Sequence, residues 1–194
     1  MLLTAIRHPR TDVEKGLCYG QLDVPLANGW EKETLSAVKA LTGNYDVITT
    51  SDLSRCQLPG ELIQKVLYPN LDFQSTSNLR ELSFGSWEGR NWNAIAPHES
   101  MYWTEDLDNE CPPNGEYLHQ LWNRVFSHLE GLLLGNYKHP LIVTHAGVIR
   151  SIHRFASSLS AVGSSIIPVP YLSSHTFIMK QEDLSLSMHS LSAN

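Results

Sequence analysis

Cysteine is scarce in this chain, and long apolar runs are missing from it. The three cysteines, Cys18, Cys56 and Cys111, are odd in number and form no C-x-x-C pair, which argues against a disulfide framework and a cysteine-based zinc site. We therefore expect reduced thiols in a cytoplasmic protein. The apolar start is interrupted by Arg7, so it is too short for a signal peptide, and no stretch is long enough to span a membrane.

Positive charge is also in short supply. The chain has 14 Lys and Arg residues against 20 Asp and Glu residues, for a net charge of −6. A surface of this kind disfavours nucleic acids and anionic membranes as partners. If the substrate is an anion, the site itself must supply the positive charge.

Strand and helix patterns alternate along the 194 residues, of which 42% are hydrophobic. Short apolar runs predict four strands, at Leu2–Arg7, 46–50, 141–144 and 175–180. An alternating run predicts that residues 185–189 form the hairpin partner of the last strand. Helical spacing of apolar residues lies over 35–41, 58–67, 118–133 and 148–159. The order predicts an α/β fold, a three-layer sandwich in which helices cover both faces of a mainly parallel sheet.

Residues 85–116 differ from the rest of the chain. They combine Trp87, Trp92, Tyr102 and Trp103 with three prolines and show little periodicity. We predict a small cap inserted over the sheet edge, within one domain that spans the whole chain. The aromatic rings either form the core of the cap or stack on an aromatic leaving group. A Ser-rich stretch, residues 157–165, is interpreted as a loop.

Guanidinium and imidazole side chains follow three of the predicted strands. Arg7 and His8 end the first strand, Arg55 follows the second, and His145 ends the third directly before a helix. Because parallel strands bring their carboxyl ends to one edge, two imidazoles and two guanidiniums should converge there. Arginine forks match the oxygens of a phosphoryl group, and the helix N-terminus adds amide donors. The cluster predicts a site for a phosphorylated ligand.

The chemistry at this site has to work without the usual phosphate-binding loops. The sequence has no Walker loop, no glycine-rich dinucleotide turn and no run of metal ligands, which favours a histidine nucleophile and a covalent intermediate. Such a reaction needs a general acid for the leaving oxygen, and Glu81 is the first candidate, with Glu88 as its rival. Arg80 and Arg150 are interpreted as solvated or structural side chains.

Four motifs resemble, in order, those of the histidine phosphatases, the phosphoglycerate-mutase-like superfamily. This sequence has R-H-P, S-D-L-S-R, L-R-E-L-S-F-G-S-W-E-G and H-A-G-V-I-R. The resemblance implies that His8 is the nucleophile and that Arg7, Arg55 and His145 bind the phosphoryl group. It also implies that Glu81 protonates the leaving group and then helps water attack phosphohistidine. The superfamily works without a metal or other cofactor.

Residues 16–26, G-L-C-Y-G-Q-L-D-V-P-L, are similar to a segment of the α-ribazole phosphatase-like branch of this superfamily. The resemblance implies a small phosphorylated metabolite as substrate, α-ribazole 5′-phosphate in cobalamin biosynthesis. Open alternatives are a phosphoglycerate mutase, a sugar-phosphate phosphatase, and a catalytically weak protein that binds phospholigands. The sequence also leaves open whether the protein forms a homodimer.

The chain departs from the family pattern beside the nucleophile. Pro9 replaces the usual glycine and removes one backbone N–H, which either stiffens the nucleophile or is a tolerated loop variant. Glu14 stands where many relatives have asparagine, so one phosphate contact could be missing, and Gln21 could add one. Pro59 cannot donate to the carbonyl of Arg55, so we expect the helix after Arg55 to start late or irregularly.

Overall fold

The computed structural model describes residues 1–180 and contains a five-stranded sheet flanked by helices. The strands are β1 (Leu2–Arg7), β2 (Val47–Ser51), β3 (Asp72–Thr76), β4 (Pro140–Thr144) and β5 (Ser174–Ile178). The helices are α1 (Trp30–Lys39), α2 (Ser54–Leu67), α3 (Pro97–Glu105), α4 (Leu118–Leu134), α5 (Ala146–Ser157) and α6 (Ala161–Ser165). Three short 3₁₀ turns lie at Ser77–Leu79, Gly85–Trp87 and Trp92–Ala94.

The strand order of the sheet is β3-β2-β4-β1-β5. The first four strands run parallel, and β5 pairs antiparallel with β1 at one edge. Because β2, β4 and β1 are parallel neighbours, the segments that leave their carboxyl ends meet along one edge of the sheet. The predicted α/β fold with a mainly parallel sheet is confirmed.

Successive side chains of the central strands face two different helical layers, as the period of two in a strand requires. Leu3 and Ala5 of β1 pack in one core with α4 and α5, whereas Ile6 packs in a second core with α1 and α2. Strands β2 and β4 are buried at every position. The sheet is therefore the middle layer of three, which explains why β4 is an almost continuous apolar run.

Strand β3 is absent from the predicted strands. Its sequence, D-F-Q-S-T, contains one apolar residue, and its side chains are exposed or half-buried, so no alternating pattern marks it. The strand forms because its backbone pairs with β2 over five positions at the edge of the sheet. The hairpin partner predicted at 185–189 lies outside the described residues.

Two predictions about helices are wrong. Helix α2 begins at Ser54 rather than late, because its first turn closes before Pro59 is reached: the N–H of Gln57 donates to the carbonyl of Leu53 at 3.0 Å. Pro59 removes a single hydrogen bond further along. The Ser-rich stretch interpreted as a loop contains α6, whose first turn is capped by the side chain of Ser160.

The predicted cap segment, residues 85–116, contains two of the 3₁₀ turns and α3, and it adds no strand to the sheet. Trp87 is fully buried, and its ring centroid lies 6.1 Å from that of Trp92 and 5.7 Å from that of Trp103. These rings pack on one another and form an aromatic core of the segment. In the part of the chain that is described, no helix is both long and apolar enough to cross a membrane.

Candidate active site

The side chains predicted to form the site meet at the carboxyl edge of the parallel strands. His8 directly follows β1, His145 directly follows β4, and Arg55 lies in the first turn of α2 after β2. The rings of His8 and His145 meet edge to face, with their centroids 5.2 Å apart. All three side chains are buried, so the structure concentrates two imidazoles and a guanidinium out of contact with bulk water.

The orientation of His8 is set by two hydrogen bonds. Its backbone N–H donates to the carbonyl of Thr144 at 2.8 Å, and its Nδ1 lies 2.7 Å from the carbonyl oxygen of Pro9. Because a carbonyl only accepts, Nδ1 must carry the proton, which leaves the lone pair on Nε2 available for attack. The bond uses the carbonyl of Pro9 and not its missing N–H, so proline at this position keeps the bond that orients His8.

The charge state of His8 is set by its surroundings. Burial lowers the pKa of His8 well below its ordinary value near 6.5, and the positive charges of Arg55 and Arg7 lower it further. The hydrogen bond to Pro9 opposes this shift. The imidazole is therefore neutral at neutral pH, which is the state that a nucleophile requires.

Two arginines border the histidines and tie loops to the site. Arg55 donates to the carbonyls of Gly20 and Leu22, the latter at 2.9 Å, and Arg7 donates to the carbonyl of Val169 at 2.6 Å. Within residues 1–180, the Nε atoms of both arginines are buried and have no hydrogen-bond partner. A buried guanidinium N–H without a partner is costly, and an anion in the site would relieve that cost.

Two tyrosines cover these arginines: Tyr19 belongs to the segment at 16–26, whereas no sequence motif marks Tyr171. The guanidinium carbon of Arg7 lies 3.9 Å from the ring centroid of Tyr171, and that of Arg55 lies 5.0 Å from the centroid of Tyr19. The two hydroxyl oxygens are 3.2 Å apart. Cation–π contacts of this kind hold the arginines in place while leaving them charged.

His145 closes the site from the side of β4 and α5. It directly precedes α5 without a capping hydrogen bond from its side chain, and its Nε2 lies 3.4 Å from Sγ of Cys56. Burial lowers the pKa of His145 well below its ordinary value, and the charge of Arg55 adds to the effect. Burial also raises the pKa of Cys56, so the thiol stays neutral. An anion in the site would favour protonation of His145 and so gain a further charged donor.

Glu81 lies against the first turn of α5, next to His145. Its Oε2 accepts a hydrogen bond from the backbone N–H of Gly147 at 3.1 Å, and its Oε1 accepts one from the N–H of Leu82 at 2.9 Å. The contact requires glycine, because a Cβ at Gly147 would lie 2.1 Å from Oε1. The structure thus brings Glu81 to the same edge of the sheet as the histidines.

A half-buried ion pair, Arg124 with Glu116, holds the segment that carries Glu81. Arg124 donates to the carbonyl of Glu81 at 2.9 Å and to that of Asn78 at 3.0 Å, and it forks onto the carboxylate of Glu116 at 2.7 and 2.8 Å. Glu116 also accepts the N–H of Ser83 at 3.2 Å. The side chains of Arg124 and Glu116 are only 16% and 13% exposed. Sequence reasoning missed the role of this pair because the backbone groups that it contacts lie 33 to 46 positions away along the chain.

Glu88, the rival acid, is occupied by backbone donors. It accepts the N–H groups of Gln21 and Phe84 at 2.9 Å and that of Leu22 at 2.7 Å, which ties the loop at 20–22 to the segment after Glu81. The side-chain amide of Gln21 donates to the carbonyl of Glu81 at 3.1 Å. Both residues therefore hold the loop against the segment that carries Glu81.

Arg80 and Arg150 differ in their environments. Arg80 forks onto Asp52 with both distances at 2.7 Å, as expected for a structural ion pair, and lowers the pKa of that carboxyl. Arg150 instead lines the cavity beside Glu81, and its Nε donates to the carbonyl of Ile167 at 3.0 Å. Arg150 is therefore a side chain of the site rather than a remote structural one.

An open cavity of about 810 Å³ lies at this site, and Arg55 and His145 are not part of its lining. Its floor includes Arg7, His8, Glu81 and Arg150, and its outer wall is the loop at 10–20. That loop brings charges of both signs to the lining: Arg10, Asp12, Glu14 and Lys15. Among residues 1–180, no three His, Cys, Asp or Glu side chains lie close enough together to hold a metal ion.

Comparison with known proteins identifies the family. The profile of the histidine phosphatase superfamily (branch 1) matches residues 3–190, and the chain belongs to this superfamily. The chain is 30% identical over 155 residues to a Hydrogenobacter thermophilus protein named "Putative phosphoserine phosphatase 2", covering 77% of this chain and 75% of that protein. It is 27% identical over 173 residues to the metal-independent phosphoserine phosphatase of Arabidopsis thaliana, covering 83% and 71%.

Solved structures agree with the fold. The crystal structure of the α-ribazole phosphatase from Shigella flexneri superposes with a TM-score of 0.80 at 25% identity, covering 94% of this chain and 92% of that one. The mycobacterial glucosyl-3-phosphoglycerate phosphatase superposes with a TM-score of 0.79 at 22% identity, covering 90% and 88%. The chain is thus similar to phosphatases that differ in the substrates they are named for.

Proposed function

We propose that this protein is a phosphomonoesterase that works through a phosphohistidine intermediate on Nε2 of His8. The observation that carries the proposal is the hydrogen bond between Nδ1 of His8 and the carbonyl of Pro9, in a cluster where Arg55 and His145 are buried and Arg7 is half-buried. This bond assigns the proton to Nδ1 and leaves Nε2 as the nucleophile. The arginines would neutralise the charge of the phosphoryl group.

The first step forms the bond between Nε2 of His8 and phosphorus and breaks the bond between phosphorus and the alcohol oxygen. Glu81, in its protonated form, gives its proton to that oxygen, and the alcohol leaves. Arg7, Arg55 and a protonated His145 hold the phosphoryl oxygens in the transition state. The carboxyl of Glu81 is then a carboxylate beside phosphohistidine.

The second step reverses the role of Glu81. Its carboxylate takes a proton from a water molecule while the water oxygen attacks phosphorus and the nitrogen–phosphorus bond breaks. Inorganic phosphate leaves, His8 returns to its neutral form, and Glu81 is protonated again. The residues that hold Glu81 in place, Arg124 and Gly147, contribute to both steps by positioning it.

For the substrate, we propose α-ribazole 5′-phosphate or a close analogue, in cobalamin biosynthesis in the cytoplasm. The support is the segment at 16–26 and the superposition on the α-ribazole phosphatase of Shigella flexneri. A cavity of about 810 Å³ is in the upper part of the range for ligand sites, roughly 300–1,000 Å³, so it has room for a nucleoside-sized leaving group.

Phosphoserine is a second candidate with its own support. Two of the similar proteins are named phosphoserine phosphatases, and the loop at 10–20 carries charges of both signs. Arg10 and Lys15 suit the carboxylate of a zwitterionic leaving group, and Asp12 and Glu14 suit its ammonium group. The phosphate end of the site is the same for both candidates.

A panel of phosphomonoesters tests the proposal. We expect release of inorganic phosphate, with α-ribazole 5′-phosphate hydrolysed at a higher kcat/KM than phosphoserine or 3-phosphoglycerate, and full activity in the presence of a chelator. Substitution His8→Ala should abolish turnover, whereas His98→Ala, which alters a histidine away from the site, should not. Phosphate binding without turnover on the whole panel would overturn the proposal in favour of a phospholigand-binding protein, and phosphoryl transfer between positions of 3-phosphoglycerate would favour a mutase.

A further inference from the structure

A second cavity, of about 400 Å³, adjoins the first. The two cavities share Glu81, Phe84 and Arg150 in their linings, so they meet at the proposed general acid. Its volume lies within the range of roughly 300–1,000 Å³ that ligand sites occupy. A group attached to the leaving oxygen at Glu81 can therefore enter either cavity.

The linings of the two cavities differ in chemistry. The first has charges of both signs on its outer loop. Among the described residues that line the second cavity, only Glu81 and Arg150, at the junction with the first, are charged. Most of the other lining residues of the second cavity are apolar. The apolar wall includes Trp103, Leu107 and Leu118.

The apolar wall is built on rigid elements. Leu121 and Trp122 belong to α4 and are almost completely buried in the main core, while α6 supplies small side chains such as Ser164 and Ser165. Arg154 packs over the ring of Trp122, with its guanidinium carbon 3.9 Å from the ring centroid. Large apolar side chains facing small ones leave a preformed space whose walls do not have to move to admit a ring.

We propose that this second cavity, hereafter the ring cavity, binds an apolar ring carried by the alcohol part of the substrate. The inference rests on the proposed function, because the alcohol oxygen has to sit at Glu81 for protonation. Burial of the ring is favourable in proportion to the apolar area removed from water. The ring cavity thus selects phosphomonoesters with an aromatic or alicyclic leaving group, and a small zwitterion such as phosphoserine leaves it unfilled.

Two alkyl phosphates test the inference. Ethyl phosphate and naphthylethyl phosphate have the same kind of leaving oxygen, and only the second carries a ring. We expect the wild-type enzyme to hydrolyse naphthylethyl phosphate with a kcat/KM higher by roughly tenfold or more. Equal values for the two substrates would overturn the inference.

Substitutions that fill the ring cavity should remove this preference. Ser165→Trp places an indole in the cavity, so the ratio of the two kcat/KM values should fall by roughly tenfold. Val162→Trp is the matched control, because Val162 lies on the same helix, is 60% exposed and does not line the cavity. If Ser165→Trp does not fold, Thr104→Trp fills the cavity from α3, with Glu105→Trp as its control. An unchanged ratio in the filled variant would contradict the inference.

Binding of phosphonates separates this inference from the proposed function, because phosphonates are not hydrolysed. Calorimetry should show that naphthylethyl phosphonate binds the wild-type protein roughly tenfold more tightly than ethyl phosphonate, and that Ser165→Trp abolishes the difference. If this difference is found but no phosphomonoester is turned over, the ring cavity stands and the proposed function fails. If turnover is found but the two phosphonates bind equally, the ring cavity fails alone.

Discussion

Gly147→Ala isolates the role of Glu81 with a single methyl group. A Cβ at this position would lie 2.1 Å from Oε1 of Glu81, whereas real Cβ atoms essentially never come within 3.0 Å of such an atom. The carboxylate is the far end of a flexible side chain, so it should move by about 1 Å while the fold stays intact. Alanine within a helix is also favoured over glycine by about 1 kcal/mol, so the variant should be no less stable than the wild type.

The expected effect on catalysis is large because proton transfer depends on position. A misplacement of about 1 Å costs on the order of 100-fold in rate. This loss should appear in kcat/KM, which reports the first step, for alkyl phosphates, because their leaving oxygen needs a proton. With p-nitrophenyl phosphate, whose leaving group departs as an anion, the loss in the first step should be much smaller.

The assay is a pair of steady-state measurements on the two kinds of substrate, together with thermal unfolding. Gly131→Ala is the matched control, since Gly131 lies in helix α4 and a Cβ there meets nothing within 4 Å. It should leave both activities unchanged. If Gly147→Ala kept the kcat/KM of the wild type on alkyl phosphates, or lost kcat/KM, which reports the first step, equally on both substrates, the assignment of Glu81 as general acid would be wrong.

Three further predictions follow from the contacts described above. Burial lowers the pKa of His128 to about 4, so unfolding takes up a proton between that pH and about 6.5. The free energy of unfolding should therefore fall by about 1.4 kcal/mol per pH unit as the pH is lowered through this window. Urea denaturation should show that His128→Gln removes this part of the pH dependence. Arg124→Gln should cost about 3 kcal/mol of stability and slow alkyl phosphate hydrolysis, whereas Arg80→Gln should cost less than about 1 kcal/mol. Tyr171→Ala should weaken inhibition by inorganic phosphate about twofold to fivefold, and Tyr171→Phe, which keeps the ring over Arg7, should not.

Each of these predictions has an outcome that contradicts it. An unchanged pH slope in the His128 variant would mean that this histidine is not held neutral by the fold. Equal losses of stability in the Arg124 and Arg80 variants would show that the half-buried ion pair of Arg124 with Glu116 contributes no more than the more exposed pair of Arg80 with Asp52. Equal phosphate inhibition in both Tyr171 variants would show that its ring does not support Arg7.

The strand ends could be predicted from the sequence because they depend on local patterns. The sequence shows one apolar run followed by Arg7 and His8 and another followed by His145, and neither pattern requires knowledge of the tertiary contacts. Because the two strands pair in parallel, their carboxyl ends lie at one edge of the sheet. The same reasoning located Arg55, whereas Glu81 was favoured over Glu88 by the resemblance to the histidine phosphatases. The chemical roles of these residues remain predictions.

Other features depend on contacts between distant segments and have no local signal. Strand β3 is polar and forms through its backbone pairing with β2, and Arg124 meets the carbonyl of Glu81 across 43 positions of the chain. Tyr171 stands in the segment before β5, and nothing in its neighbourhood indicates that it packs on Arg7. The consequence of Pro9 was also open until the structure showed that His8 uses its carbonyl.

The covalent step on His8 is the central claim, and trapping the intermediate tests it most directly. With radiolabelled p-nitrophenyl phosphate, Glu81→Gln should form the phosphoenzyme, because p-nitrophenolate leaves without a proton donor. The variant should hydrolyse the phosphoenzyme slowly, because the attacking water needs the carboxylate of Glu81 as a base. The predicted result is acid-labile, alkali-stable label on the peptide that contains His8. This label should be absent from the double variant that also carries His8→Ala. Label on His145, or no label during rapid turnover, would contradict the account.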